Sequence, residues 1–356
     1  MIPAKIGKHK IGDGHKTFIV FEAGPTHTGL ESAKKLVDMA VKAGAHAIKF
    51  QMIDVDRLMG DREYTFEYKV LVDKKTGKTE TVSEPLYDIL KRRELKREEW
   101  AELKSYCDKK GITFISTACF EDEIDFLVDE LETPSIKINS GDVNYLSLIE
   151  YAAKKDVNIQ IDTGNSEIWE IERAINIIED AGNQNIIIHH CPSGYPAYLD
   201  SIHLNMIKTL KTMFEYPIGF SDHSPGWTMD IAAVALGANL LEKTITLDKT
   251  TKSCEHMFSL EEDEAIEFIK TIRELEIALG CHRRKLSKEA RIGKLKGRRG
   301  AFIIRDMKRG EEIKKEDIEF RRPGYGIPPD MEKCVIGRKL KKDLKAGHML
   351  TWSDLV

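Results

Sequence analysis

FIVFEAGPTHTGLESAKKLVDMAVKAGAHAIKFQM, residues 18–52, spells one strand–helix–strand unit. Residues 18–24 are a short apolar run that carries Glu22 near its end. ESAKKLVDMAVKAG then spaces its apolar residues for one face of a helix and stops at Gly44, a residue suited to the left-handed turn that closes helices. Residues 45–52 return to an apolar run. The alternation continues, with further strands expected at 113–118, 135–140, 158–164, 185–191, 218–224 and 240–246, and with helical stretches ending at Gly111, Gly182 and Gly280. Eight strand–helix repeats over about 280 residues predict an α/β fold, a (β/α)8 barrel. An open doubly wound sheet is the alternative, but no Gly-x-Gly-x-x-Gly follows the first strand, and EAGPTHTG has the wrong spacing for it.

Two stretches break the pattern. Residues 53–95 are long, polar and weakly periodic, and a barrel loop of that length is expected to be functional or mobile. Residues 282–299 carry nine Lys/Arg and one acidic residue. They read as a solvated linker or a phosphate-facing segment, with a nucleic-acid patch as the alternative. From residue 300 the character changes: DMKRGEEIKKEDI and DLKAGHMLTWSDL look like two copies of one turn-rich β unit. The expected organisation is a barrel over 1–281, a basic linker over 282–299 and a small β-rich domain over 300–356.

With 356 residues, 41% hydrophobic, and a formal net charge of −4, the chain is ordinary globular protein and no general nucleic-acid binder. No apolar run reaches the roughly 18–20 residues that span a bilayer. MIPAKIGKHKIGDGHK lacks the apolar stretch of a signal peptide, so a cytoplasmic protein without membrane or nucleic-acid partners is expected. The six cysteines form no Cys-x-x-Cys pair, which argues against a structural zinc site.

Active sites of such barrels lie at the carboxyl ends of the strands. The polar residues there are Glu22, Lys49, Gln51, Thr117, Lys137, Ser140, Asp162, Thr163, His190, Ser221, Asp222, His223, Glu242 and Thr244. Burying so many polar groups costs free energy unless they are paired or used. Lys49 and Lys137 each follow an isoleucine inside an apolar strand and are expected to point into the barrel mouth. They read as salt bridges to Glu22 or Asp162, or as a cradle for phosphate and carboxylate aided by Thr117, Ser140 and Ser221; a Schiff-base lysine is a further option. His223 is the best single metal candidate, with a structural histidine as the alternative and Asp222 as a partner able to orient its ring.

EAGPTHTGLESAKKLVDMAVKAGAHAIKFQ resembles the first βαβ unit of the N-acetylneuraminate (sialic acid) synthase family, and FISTACF, SIKINSGD, HCPSGYP and GFSDHS follow in the same order. EFRRPGYGIPP resembles that family's antifreeze-like (SAF) domain. The resemblance implies an enzyme that condenses phosphoenolpyruvate with an N-acetylated hexosamine such as N-acetylmannosamine, giving a nine-carbon 2-keto acid and phosphate. It implies a divalent metal, Mn or Mg, as Lewis acid. It also implies a homodimer in which each SAF domain caps the partner's barrel. By position, Glu22, Lys49, Lys137 and His223 would be catalytic. Lys49, Thr117, Lys137, Ser140, Ser193 and Ser221 would hold phosphoenolpyruvate, while Glu22, Gln51, Asp142, Tyr195 and Glu255 would line the sugar site. Arg322 would reach the sugar's acyl group from the partner subunit.

Three departures stand out. Thr244 replaces the family's second metal histidine, which leaves Glu242 or His256 to join His223. Asp162 replaces a serine, placing a carboxylate in the substrate pocket where it would repel phosphate unless a lysine or the metal intervenes. Thr26 replaces an asparagine before His27. They point to a divergent member, making a legionaminic- or pseudaminic-type acid from a different amino sugar, or to a sugar- or phosphate-binding homologue that has lost catalysis.

Overall fold

The computed structural model describes residues 1–281 and 283–356, which form two compact units, Met1–Gly280 and Cys281–Val356. In chain order the strands are β1 Ala4–Ile6, β2 His9–Ile11, β3 Phe18–Glu22, β4 Ala47–Gln51, β5 Thr65–Asp73, β6 Lys78–Pro85 and β7 Thr113–Thr117. Then come β8 Ser135–Ile138, β9 Asn158–Asp162, β10 Ile186–His190, β11 Ile218–Asp222, β12 Leu240–Thr244, β13 Gly300–Ile303 and β14 Ile318–Arg321. Strands β3, β4, β7, β8, β9, β10, β11 and β12 close a parallel barrel in sequential order, so each of the eight expected strands is present. The helix Leu30–Ala43 buries Ala33, Leu36, Val37 and Ala40 at helical spacing. It ends at Gly44 with φ 91°, whose N–H donates to the Ala40 carbonyl.

Side chains alternate along each strand, so every second residue enters the barrel. The lowest interior layer is apolar: Phe18, Val20, Ala47, Ile115, Ile187 and Leu240 pack with Ala4, Ile6 and Ile11 of the β1–β2 hairpin. That hairpin was not anticipated, because AKIGKHKI is shorter than any window that reveals a period. Above the apolar layer lies a polar one. Ser135 Oγ donates to Asn158 Oδ1 at 2.7 Å, Gln160 Nε2 donates to Ser135 Oγ at 2.8 Å, and His189 Nε2 meets Gln160 Oε1 at 2.7 Å. The next residues up these strands are the ones that build the site.

Residues 53–95 are more ordered than expected. β5 and β6 pair antiparallel, followed by the helix Leu86–Lys91. Tyr68 and Val70 bury one face of the hairpin against Ile89 and Cys254, while Glu67 and Lys69 face solvent. The charged outer face dilutes the two-residue period and hides the strands from a reading of hydrophobicity alone.

The basic segment read as a linker contains an exposed helix, Lys288–Gly297, capped by Ser287, whose Oγ accepts from Ala290 N at 3.0 Å. In the C-terminal unit the two repeated words pair with each other. Met307 and Leu344 exchange both backbone hydrogen bonds at 2.9 Å, and Gly310 and Gly347 take the same turn conformation, each with φ 86°. Ala301, Ile303, Met307, Ile313, Leu340, Leu344 and Leu350 form its core. Among the described residues no helix is long and apolar enough to cross a membrane.

Candidate active site

Lys49 and Lys137 converge. Lys137 Nζ lies 2.7 Å from Glu242 Oε1, 2.9 Å from Asp162 Oδ2 and 3.2 Å from Ser221 Oγ. Lys49 Nζ pairs with Glu22 and lies 3.4 Å from the same Glu242 oxygen. Ser221 Oγ donates to that oxygen at 3.0 Å. The barrel register makes this possible: Glu22 lies opposite Lys49, Thr117 opposite Lys137, and Ser221 opposite Glu242 on neighbouring strands. All are buried, Lys137 completely. The salt-bridge reading of the two lysines is thus realised, with Glu242 added as their common partner, and both ammonium groups sit at one end of the barrel as a substrate cradle requires.

The cluster holds two lysines against three carboxylates, so with all five ionised it carries one net negative charge. Burial would raise the Glu242 carboxyl, but Lys137 and Lys49 outweigh it and hold the group below the usual carboxylate range. Burial raises Asp162, and Lys137 only partly offsets it. Burial lowers Lys49, while burial of Lys137 is outweighed by Asp162 and Glu242, which raise it. Burial drives His189 far down, so the imidazole beneath the cluster is neutral. Of Asp162 and Glu242, Asp162 is therefore the one that holds a proton more readily. Its Oδ1, with Glu242 Oε2 and Thr117 Oγ1, is buried without a hydrogen-bond partner. These unsatisfied atoms at the foot of a cavity mark a site arranged for a ligand rather than for stability.

A cavity of about 320 Å³ opens above the cluster. Of the expected site residues, Glu22, Lys49, Gln51, Ser140, Asp162, Tyr195, His223, Glu242 and Glu255 line it. Ser193 lines an adjoining cavity that shares Ser140, Cys191 and Tyr195. Thr117, Lys137 and Ser221 lie beneath the floor, and half-buried Asp142 stands outside the lining. Arg322 is an exposed residue of the C-terminal unit, next to β14. The sequence reading missed Asn139, Cys191, Cys254 and, from the insertion, Ile53, Leu58, Phe66, Leu86, Leu90 and Arg93, which complete the wall.

Local backbone aims several of these groups. Glu255 has φ 73°, a left-handed conformation that costs a non-glycine residue free energy and that turns up at functional sites. At Gly24 a Cβ would lie 2.6 Å from both Gln51 Cγ and Glu22 Oε1, and the Gly24 N–H donates to that same Glu22 oxygen at 2.5 Å. Gly24→Ala should therefore cost about 1–3 kcal/mol through overpacking and lower turnover by displacing Glu22. Thermal unfolding together with a turnover assay checks this, and a variant of unchanged stability and activity would show that the close approach is unimportant.

Some expected roles are corrected. Asp222 does not orient His223: it pairs with fully buried Lys243 and accepts from Ser224 N and Oγ, both at 2.9 Å. His190 points out of the barrel and meets the Ile202 carbonyl at 2.6 Å, while its neighbour His189 points in. Thr26 Oγ1 donates to the Ile245 carbonyl at 2.6 Å, and His27 packs against Phe50 and Trp100, so both serve the framework.

The metal expectation divides. His223, Glu242 and His256 are not brought together. Glu242 is committed to the lysines, His256 Nδ1 meets Thr246 Oγ1 at 2.7 Å, and buried Thr244 is absent from the cavity lining. Among the described residues the set of three donors within reach of one another is Asp54, Asp56 and Glu94, away from this cluster. His223 and Glu255 do face the cavity; Glu255 makes no ion pair among the described residues, and burial raises its carboxyl, with His223 and Arg93 opposing that rise only in part. One imidazole and one free carboxylate fit an ion that takes oxygen and nitrogen ligands and keeps several waters, such as Mn or Mg, better than a closed zinc site.

The profile of the NeuB family matches residues 36–284, and that of the SAF domain matches residues 298–356. An uncharacterized protein of Methanocaldococcus jannaschii is 36% identical over 353 residues, covering 99% of this chain and 98% of its own. The N,N'-diacetyllegionaminic acid synthase of Legionella pneumophila is 32% identical over 349 residues, covering 97% and 96%. The crystal structure of the N-acetylneuraminic acid (sialic acid) synthetase of Leptospira borgpetersenii, in complex with citrate, superposes with a TM-score of 0.71 at 29% identity, covering 82% of this chain and 94% of that one. Matched relatives with named activities include nonulosonic acid synthases. A closed parallel barrel with a polar cluster at its mouth, joined to a SAF domain, agrees with these matches along the whole chain, and the protein belongs to the NeuB family.

Proposed function

We propose that the protein is a nonulosonic acid synthase, a carbon–carbon bond-forming transferase that condenses phosphoenolpyruvate with an N-acetylated hexosamine and releases phosphate. The observation that carries this reading is the meeting of Lys49 and Lys137 on one Glu242 oxygen at the foot of a cavity walled by carboxylates and hydroxyls. The relative named for a diacetylated legionaminic acid supports an amino sugar other than N-acetylmannosamine as a candidate.

In this reading Glu22 and Glu242 keep the two ammonium groups charged, and Asp162 helps to hold Lys137 in place, until phosphoenolpyruvate takes over part of that role. Thr117, Ser140, Ser193 and Ser221 supply hydrogen bonds to its oxygens. Gln51, Tyr195 and Glu255 contact the sugar, with Asp142 further out. Carbon 3 of phosphoenolpyruvate attacks the aldehyde carbon of the open-chain sugar, and water adds at carbon 2. Glu22 takes one proton from that water and passes it to the former aldehyde oxygen. The carbon 2–oxygen bond to phosphate then breaks, the remaining hydroxyl becomes the ketone, and its proton leaves with phosphate. A divalent ion held by His223 and Glu255 would polarise the aldehyde oxygen. Arg322 would contact the sugar's acyl group from the partner subunit of a homodimer.

The test is phosphate release with mass spectrometry of products, using phosphoenolpyruvate and a panel of N-acetylated mannose- and altrose-type sugars. A product of the summed carbon skeleton is expected, with loss of turnover in chelator and recovery in added Mn. Phosphoenolpyruvate binding without release for any sugar would instead identify a binding protein, and indifference to chelator would remove the metal.

A further inference from the structure

Arg93 is a buried cation of a different kind from the others. It follows the helix Leu86–Lys91 of the insertion, is 6% exposed, and lines the mouth cavity among Leu58, Phe66, Leu86 and Leu90. The three fully or nearly fully buried lysines each have two carboxylates: Glu22 and Glu242 for Lys49, Asp162 and Glu242 for Lys137, Asp222 and Asp230 for Lys243. Among the described residues Arg93 has none within ion-pair distance. Its Nη2 contacts Cys254 Sγ at 2.9 Å, and its Nε is buried without a partner. Burial raises the Cys254 thiol, so it does not serve as a counter-anion, and burial followed by Arg93 itself lowers His27 and His256 to about 4, so both are neutral.

Glu255, on the wall of the same cavity, is near enough for the guanidinium to favour its charged form but makes no ion pair with it. A desolvated guanidinium with no directly bound anion is destabilising unless something that binds there repays it. Its planar fork matches the two oxygens of a phosphate or carboxylate. The acidic groups of phosphoenolpyruvate are already accounted for by Lys49 and Lys137 under the proposed function, on which the identity of the ligand as a sugar rests. We propose that Arg93 is an oxyanion subsite for the acceptor: the sugar this protein uses carries a phosphate or carboxylate that docks on the guanidinium against the wall formed by the insertion.

The test is calorimetric binding of three probes to the full chain: N-acetylmannosamine, N-acetylmannosamine 6-phosphate and N-acetylmannosaminuronic acid. One charged probe is expected to bind at least about tenfold more tightly than the neutral sugar, the range of a charge-assisted hydrogen-bond pair, and the preferred probe identifies the oxyanion. Arg93→Met should level the three while keeping or raising the melting temperature, because it removes an uncompensated buried charge. Arg93→Lys should keep part of the preference. Equal binding of all three probes by the native protein would overturn the proposal. So would an Arg93→Met variant that melts earlier yet discriminates as before, the signature of a structural arginine. Failure to bind phosphoenolpyruvate would count against the condensation reaction instead, since the Arg93 comparison is read on sugar binding alone.

Discussion

Lys137→Ala is expected to abolish turnover and to destabilise the barrel by about 3–5 kcal/mol at neutral pH. Lys137 is fully buried and is the direct partner of Glu242 and Asp162, so its removal strands two carboxylates in low dielectric with only Lys49 nearby. The pH dependence separates this from a simple cavity. In the native protein Glu242 is held below its ordinary value, so its contribution is present above the unfolded value and is lost as pH falls through the folded one. Without Lys137 both carboxyls rise. The deficit should then be largest at neutral pH and above, and shrink as pH falls and the stranded groups take up protons. Thermal and urea unfolding at several pH values, with phosphate release as the activity readout, provides the check. A deficit independent of pH would mean that only packing was lost, and native turnover would end the cradle reading of the lysines.

Asp162→Asn is expected to flatten the pH dependence of phosphoenolpyruvate binding. Asp162 faces Lys137 on β8, Glu242 on β12, Lys49 on β4, His189 on β10 and the Cys191 thiol just past β10. Burial raises its carboxyl, so the sign is opposite to that of Glu242: the neutral form persists below the folded value, and charge appears as pH rises through it. With Asp162 protonated the cluster is neutral; with Asp162 ionised it carries −1 and repels an incoming anion. The native protein should therefore lose phosphoenolpyruvate affinity as pH rises, by up to about tenfold per pH unit. Asparagine keeps the shape and one oxygen but cannot ionise, so the variant should lose that slope. Calorimetry in buffers of different protonation enthalpy reads the accompanying proton directly. Parallel slopes in the two proteins would show that the titrating group lies elsewhere. Under the proposed function the same reasoning would account for a carboxylate beside phosphate: it need not be charged when the phosphate arrives.

The barrel was legible because both of its signals are local. Strands covered on two faces read as continuous apolar runs, and each helix shows its buried stripe and its glycine stop within one window of sequence. Lys49 and Lys137 were legible for a related reason, since a charge inside such a run has to point inward toward something. The β5–β6 hairpin was less legible because its outward face is charged and only Tyr68 and Val70 are buried on the other. Arg93 was not legible at all. In KRRELKR it is one of five basic residues with nothing to distinguish it from its solvated neighbours. The choice of His190 over its neighbour His189 failed by one residue, because a single step along a strand exchanges inside for outside.

By itself the chain of residues determined the architecture, the end of the barrel where chemistry would lie, and the residue types gathered there, because periodicity and strand polarity are properties of neighbouring residues. Only the tertiary structure decided which charges meet. Lys137 and Glu242 are 105 positions apart, and Arg93 and Cys254 are 161 apart. The balance of cations and carboxylates, the raised carboxyl of Asp162 and the lack of a directly paired anion at Arg93 all depend on distances across the closed barrel, and Coulomb and desolvation energies follow distance in space rather than position in the chain.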